Sequence, residues 1–481
     1  MSATTKRDLF PVHVIITFVL MFGVGFLPTF STVTPEGMKL IGIFLGLLYG
    51  WTASSLIWPS LLGIVAIGVW GIMPFNEFLQ ISFGNSTAIF TFLFFFFIGF
   101  AEETGIVQFL GNWFLSRKIV RGRPWMLTFI LFFATFVSGA LVNGMAAIFI
   151  FWSIYYSIAK EFGFKPYDKY STLMICGIVF AGGTAADTTL PFKTGPLIWL
   201  ESYQQVSGVD VSDIKYVLFA APLCILSLVA FTLIMRFVFK PDISALKNVG
   251  DDFIKKETLV LTKQQKVAFV LIGILVILLL APSILPKSIP FVSVLADLGN
   301  AGIMLFVIAL MSVIRVDKKP LMDFRKNVKH VSWDIVILFI MVLPLASLLT
   351  AESTGITPAI IQGLTPILEG RSPLIFALLV LFTGSILTNV TNNAVLGIIY
   401  INLMCPLAGV MNIDVLPIVA VMIFTIQLAY LTPAASAPAA LVFSNTKWVK
   451  TKDVMKYWAI ILPILFVLFF VLGLPWANII F

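Results

Sequence analysis

Apolar runs of the length a helix needs to cross a bilayer follow one another along almost the whole chain. A spanning helix takes about 20 predominantly apolar residues. Such runs lie at 12–30, 38–54, 55–72, 86–105, 171–200, 215–238, 267–285, 291–314, 332–350, 415–443 and 457–479. In hydrocarbon each backbone N–H and C=O needs a partner within the protein, so runs of this length predict helices. Composition agrees: 59% of the 481 residues are hydrophobic and 11% are charged, against about 25% charged in a soluble domain. A soluble enzyme, a secreted disulfide scaffold and a nucleic-acid binder are excluded. The expected fold class is an all-α polytopic membrane protein of about 11 transmembrane helices, with two further apolar segments of a different kind.

Most of the 31 Lys and Arg residues gather at 1–11, 106–124, 160–170, 239–266, 315–331 and 445–456. Cytoplasmic loops retain such an excess, so the formal charge of +8 reads mainly as a topology signal. It places the N-terminus in the cytoplasm and the C-terminus outside, in the cell membrane. The run 12–30 lacks a small-residue cleavage site and is expected to be a retained helix. Cys176, Cys224 and Cys405 all sit in apolar runs, as packing residues do. Only two histidines, His13 and His330, are present. They lie far apart in the chain, which argues against a haem or metal-centred enzyme and leaves no resident cofactor.

Two apolar segments do not count as single spans. Residues 124–160 are flanked by Arg117, Lys118, Arg121 and Arg123 on one side and by Lys160, Lys165 and Lys169 on the other. Both ends therefore read as cytoplasmic, and the segment must enter and return. It breaks at Ser138-Gly139-Ala140-Leu141-Val142-Asn143-Gly144. Residues 372–410 break at Thr383-Gly384-Ser385 and Thr388-Asn389-Val390-Thr391-Asn392-Asn393, between flanks carrying Glu352, Glu369, Arg371 and Asp414. The expectation is two re-entrant hairpins facing each other; two pairs of short spanning helices are the alternative.

An internal repeat supports this layout. Ala101-Glu102-Glu103-Thr104-Gly105-Ile106 recurs as Ala351-Glu352-Ser353-Thr354-Gly355-Ile356. Each copy is followed by a hairpin with an Asn at its break, then by a helix interrupted by small and helix-breaking residues. Those interruptions are Gly182-Gly183-Thr184-Ala185-Ala186-Asp187-Thr188-Thr189-Leu190-Pro191 and Leu431-Thr432-Pro433-Ala434-Ala435-Ser436-Ala437-Pro438. The expected organisation is a leading helix within 1–37 and a first repeat over 38–238, with its hairpin at 124–160 and broken helix at 171–200. A cytoplasmic linker at 239–266 and a second, inverted repeat over 267–481 follow, the latter with its hairpin at 372–410 and broken helix at 415–443.

Irregular backbone at membrane depth is tolerated where it lines a cavity or is buried in protein. Interrupted helices at corresponding positions of two halves point to a transport site. Freed N–H groups at helix N-termini favour anions, while unwound carbonyls with Asn and Thr oxygens suit Na⁺. Asp187 and Lys193 are the only acidic or basic side chains between 171 and 200. Charge within a span marks function or a pair. Lys193 is placed to hold a substrate carboxylate and Asp187 to take a coupling H⁺ or cation; mutual pairing, or snorkelling of Lys193, are the alternatives. Glu102, Glu103 and Glu352 read as interfacial or as braces for the hairpins.

The layout resembles the divalent anion/sodium symporter family within the ion transporter superfamily, over nearly the whole chain. That family carries Ser-Asn-Thr at each hairpin tip, where this chain has Val142-Asn143-Gly144 and Thr388-Asn389-Val390. Its broken helices carry Gly-Thr-Pro-Pro-Asn-like stretches, matched here by Gly182-Gly183 through Lys193 and by Ser436-Ala437-Pro438-Ala439. Three of the four flanking hydroxyls are absent, and Lys193 falls where the first-half Asn would be. The resemblance implies a homodimer whose protomers have a scaffold and an elevator-like transport domain. It implies a small organic anion, a di- or tricarboxylate, as substrate, carried by symport with Na⁺ or H⁺. Substrate would contact Asn143, Gly144, Lys193, Thr388, Asn389, Val390, Ser436 and Pro438. The coupling ion would involve Ser138, Asn143, Gly183, Thr184, Asp187, Ser385, Asn389 and Ala435, with Na⁺ at Asn143 and Asn389. Exchange without a coupling cation, a channel and a membrane-embedded enzyme are the competing functions. The hairpins hold no charged side chain over 125–159 or 373–410, which disfavours an enzyme.

Overall fold

The computed structural model of the chain describes residues 9–120, 122–188, 193–248, 260–368, 372–389, 391, 393–433 and 435–481. Most of it is helix, and one two-stranded ribbon, Arg315–Val316 against Lys319–Pro320, is the sheet found among the described residues. The first half runs α1 (Phe10–Gly23), α2 (Pro35–Ala53), α3 (Ile57–Val69), α4 (Phe75–Phe83), α5 (Ser86–Glu103) and α6 (Ile106–Leu115). It continues with α7 (Pro124–Leu141), α8 (Gly144–Phe162), α9 (Lys169–Thr184), α10 (Thr194–Ser207) and α11 (Asp213–Leu233). The second half runs α12 (Lys263–Ile284), α13 (Pro290–Val313), α14 (Phe324–Asn327), α15 (Trp333–Thr350), α16 (Ile356–Leu368), α17 (Pro373–Leu387) and α18 (Asn393–Met411). It ends with α19 (Leu416–Ile426), α20 (Ala437–Ser444), α21 (Thr451–Leu468) and α22 (Leu474–Ile480).

The scarce polar residues sit where helices begin. Thr34, Asn85, Asn143, Ser372 and Ser436 each accept from backbone N–H groups of the helix they precede, and Thr262 with Gln265 forms a reciprocal capping box. Each cap satisfies donors that a helix start leaves open. The recurring hexapeptide acquires a structural meaning. In both copies the glycine (Gly105, φ 67°; Gly355, φ 63°) takes the left-handed conformation between one helix and the next. In both copies the threonine hydroxyl donates to the alanine carbonyl at 2.7 Å, Thr104 to Ala101 and Thr354 to Ala351. The motif is thus a sharp bend after α5 and after α15 that only glycine adopts cheaply.

Among the described residues, seven helices are long and apolar enough to cross a membrane: Ser86–Glu103, Pro124–Leu141, Asp213–Phe239, Lys263–Ile284, Pro290–Val313, Trp333–Thr350 and Thr451–Ile480. The expected runs 171–200 and 415–443 fall short of this set because each is split in two: α9 ends at Thr184 and α10 begins at Thr194, and α19 ends at Ile426 and α20 begins at Ala437. α7, expected as a hairpin arm, is itself of spanning length. α12 and α13 turn Val270, Ile277, Phe291, Val294 and Leu305 outward, an apolar face suited to lipid. The two broken helices meet, α10 lying against α19 and α20 against α9, and α10 also lies against α18 of the second hairpin.

Candidate functional site

The first hairpin turns more tightly than its sequence suggests. α7 stays helical through Leu141, and only Val142 and Asn143 separate it from α8. Asn143 caps α8, its Oδ1 accepting from Met145 N at 2.9 Å, while its Nδ2 donates to Glu102 Oε1 at 2.8 Å. Glu102 Oε2 faces His330 Nδ1 at 3.1 Å, and Glu103 meets Lys329 Nζ at 3.0 Å. The tip is therefore tied to the end of α5 and, through it, to the segment ahead of α15. Gly144 lies so close to α9 that a Cβ there would overlap the Gly182 carbonyl.

The first broken helix contributes both of its charged side chains. Lys193, which precedes α10, is 7% exposed and donates from Nζ to Gly139 O at 2.7 Å and Val142 O at 3.4 Å. Asp187 is 2% exposed; its Oδ1 accepts from Gln427 Nε2 at 2.8 Å, and its backbone carbonyl accepts from Tyr216 Oη at 2.8 Å. The two charges neither pair with each other nor snorkel to the surface. Gly183 faces the Tyr430 hydroxyl, and the Thr184 carbonyl accepts from Thr188 Oγ1 at 3.3 Å.

The second tip is held mainly by backbone. Asn389 Nδ2 donates to Ser385 O at 2.9 Å and Leu428 O at 3.3 Å, and its Oδ1 accepts from Leu431 N at 3.0 Å. Thr432 Oγ1 donates to Asn389 O at 2.9 Å. The Thr388 hydroxyl sits between Ile426 O at 2.6 Å and Asn393 Oδ1 at 2.8 Å; Asn393 Nδ2 then donates to Gln427 Oε1 at 3.0 Å. A continuous chain thus runs Asp187–Gln427–Asn393–Thr388, from the first broken helix to the second hairpin. Ser436 Oγ donates to Ala429 O at 2.6 Å and accepts from Ala439 N at 3.1 Å, so its hydroxyl caps α20. Pro438 lies in the first turn of α20 beside Gly183, Ala435 is buried, and the Ser385 hydroxyl turns back to Phe382 O. Val390, with Thr189, Leu190, Pro191, Asn392, Ala434, Arg121, Glu369 and Arg371, lies outside the described residues.

Sequence reasoning missed Gln427, Asn393, Tyr216 and Tyr430 as site residues. Gln427 carried a signal: it stands at the end of an otherwise apolar run, where the second broken helix stops. Tyr216 and Tyr430 carried none, because a tyrosine in an apolar run reads as packing.

Fold and site together define a multi-pass, all-helical membrane transporter whose polar groups gather where helices are interrupted. The model of a family described as citrate transporter matches residues 46–425, and the chain belongs to that family. This agrees with the resemblance to divalent anion/sodium symporters, and the family is one of transporters, not enzymes. The chain is similar to the sodium-dependent dicarboxylate transporter SdcS of Staphylococcus saprophyticus, 26% identical over 349 residues, 69% of this chain and 66% of that protein. It is also similar to SdcS of Staphylococcus aureus strain bovine RF122, 25% identical over 474 residues, 91% of this chain and 87% of that protein. In fold it is similar to the YdaH transporter of Alcanivorax borkumensis, with a TM-score of 0.55 at 12% identity, covering 92% of this chain and 98% of that chain.

Proposed function

We propose that the protein is a secondary active transporter of small organic anions, di- or tricarboxylates, driven by symport with a cation. Na⁺ is the leading coupling ion, in line with the names of its relatives, and H⁺ is the alternative. The observation that carries the reading is the hydrogen-bonded chain from Asp187 through Gln427 and Asn393 to Thr388, which joins an interruption in one half to a hairpin tip in the other. Interrupted helices that meet in this way offer N–H groups to a carboxylate and carbonyl oxygens to a cation. In this reading Asn143, Gly144, Lys193, Thr388, Asn389, Val390, Ser436 and Pro438 surround the anion. Ser138, Gly183, Thr184, Asp187, Ser385 and Ala435 join the two Asn residues around the coupling ion.

The two hairpins are re-entrant, the halves (38–238 and 267–481) are inverted copies, and the transport part moves as an elevator against a scaffold in a homodimer. The protein sits in the cell membrane with its N-terminus cytoplasmic and its C-terminus outside. Exchange without a coupling cation has one observation in its favour, the Lys193 contact with Gly139 and Val142. Thermal-shift measurement of the purified protein against citrate, succinate and inorganic oxyanions, in Na⁺ and in choline, tests the assignment. Stabilisation by a carboxylate that is stronger in Na⁺ is expected; stabilisation by an inorganic oxyanion alone would replace the substrate class.

A further inference from the structure

Asparagine-containing tips end both hairpins, and among the described residues the carbonyls of the first are met by a charged side chain and those at the second by a neutral amide. At the end of α7, Gly139 O and Val142 O receive Lys193 Nζ at 2.7 and 3.4 Å, with Lys193 almost wholly buried. The end of a helix carries the negative end of its dipole and unpaired carbonyls, the donor set that holds Na⁺ at broken helices. Ser138 Oγ, one residue from Gly139, is buried with no hydrogen-bond partner among the described residues. It is a hydroxyl of the kind that completes a cation's shell. At the second tip Ser385 O, within α17, and Leu428 O, in the break between α19 and α20, receive the neutral Asn389 amide. No Lys or Arg occurs between Arg371 and Lys447, and Ala439 stands where the repeat aligns with Lys193.

We infer that the Lys193 ammonium is a tethered cation that fills, in the first half, the place a coupling ion would take. The first tip therefore binds no Na⁺, and the exchangeable cation is held at the second tip. Resting on the proposed cation-coupled reading, this revises its coupling-ion assignment at the first tip, where Ser138 and Asn143 hold no Na⁺: one half carries a fixed positive charge beside the anion, and the other carries a charge that enters and leaves.

The test is the Na⁺ dependence of melting temperature in purified protein, with choline as control. Lys193→Ala opens the carbonyl cluster, and a new saturable Na⁺-specific rise is expected, persisting when Asn389→Ala is added. In Lys193→Cys, attachment of an aminoethyl disulfide restores the ammonium and should remove the new response. Absence of any gained Na⁺ response in folded Lys193 variants overturns the inference. A second measurement leaves Lys193 in place: Asn389→Ala alone should lose the whole Na⁺ response, and a surviving saturable response would also overturn it. A native protein indifferent to Na⁺, beside a Lys193→Ala variant that responds, would remove Na⁺ from the second tip yet keep Lys193 as the replacement. Failure of the transport reading is recognised separately, as absent carboxylate uptake by liposomes whose protein still shows these Na⁺ responses.

Discussion

The two hairpin tips present the same residue, an asparagine at the turn, in different company. Asn143 is held by a carboxylate, Glu102, which in turn faces His330. Asn389 is held by three backbone groups, from Ser385, Leu428 and Leu431. Backbone partners come with the fold. A side-chain partner can be removed by substitution. The first tip thus depends in part on a side chain, and the second on backbone groups. Buried charge follows the same division: Lys193 serves the first tip directly, while Asp187 reaches the second through two neutral amides.

The largest expected effect is that of Asn389→Ala. It leaves buried carbonyls and an N–H without partners at about 1–3 kcal/mol per group, so coupled uptake should fall on the order of a hundredfold. Protein that elutes as native yet transports normally would remove Asn389 from the site. Asn143→Ala comes next, losing a helix cap worth about 1 kcal/mol together with the Glu102 contact. A drop in uptake of about tenfold is expected in the same assay. Equal losses in the two variants would erase the distinction between the tips.

Glu102→Gln keeps an acceptor for Asn143 and removes the charge facing His330. A few-fold change is expected, with a reduced salt dependence of uptake, because such partly exposed pairs are worth about 1 kcal/mol or less. An effect as large as that of Asn143→Ala would mean that the charge, not the hydrogen bond, holds the tip. Lys329→Ala breaks an ion pair whose side chains are 64% and 45% exposed. Uptake should stay within about twofold of native.

Much of this was legible in sequence because hydrocarbon leaves few choices. Runs of apolar residues gave helices, and Gly, Pro and Asn clusters marked where both hairpins turn and both helices stop, but Thr383-Gly384-Ser385, expected as a break, lies inside α17. The repeated Ala-Glu-X-Thr-Gly-Ile marked a bend that both halves make at the same point. The extent of the first break was read too widely. Ser138-Gly139-Ala140 remains helical, and Gly139 packs so closely against Ala185 and Gly144 that its small size serves packing, not unwinding. The partners of the charges were not legible. Lys193 bonds backbone carbonyls, which any residue supplies, and Asp187 is met by Gln427 from the other half of the chain. The amphipathic helices α6 and α16 were also missed as separate elements. Each follows its glycine bend directly and is shorter than a span.

Uptake of labelled citrate and succinate by liposomes containing the purified protein tests the central claim most directly. An inward Na⁺ gradient should drive accumulation against the carboxylate gradient, and Asn389→Ala should reduce it on the order of a hundredfold. Uptake that ignores imposed Na⁺ and pH gradients and requires carboxylate inside would contradict cation-coupled transport and establish exchange.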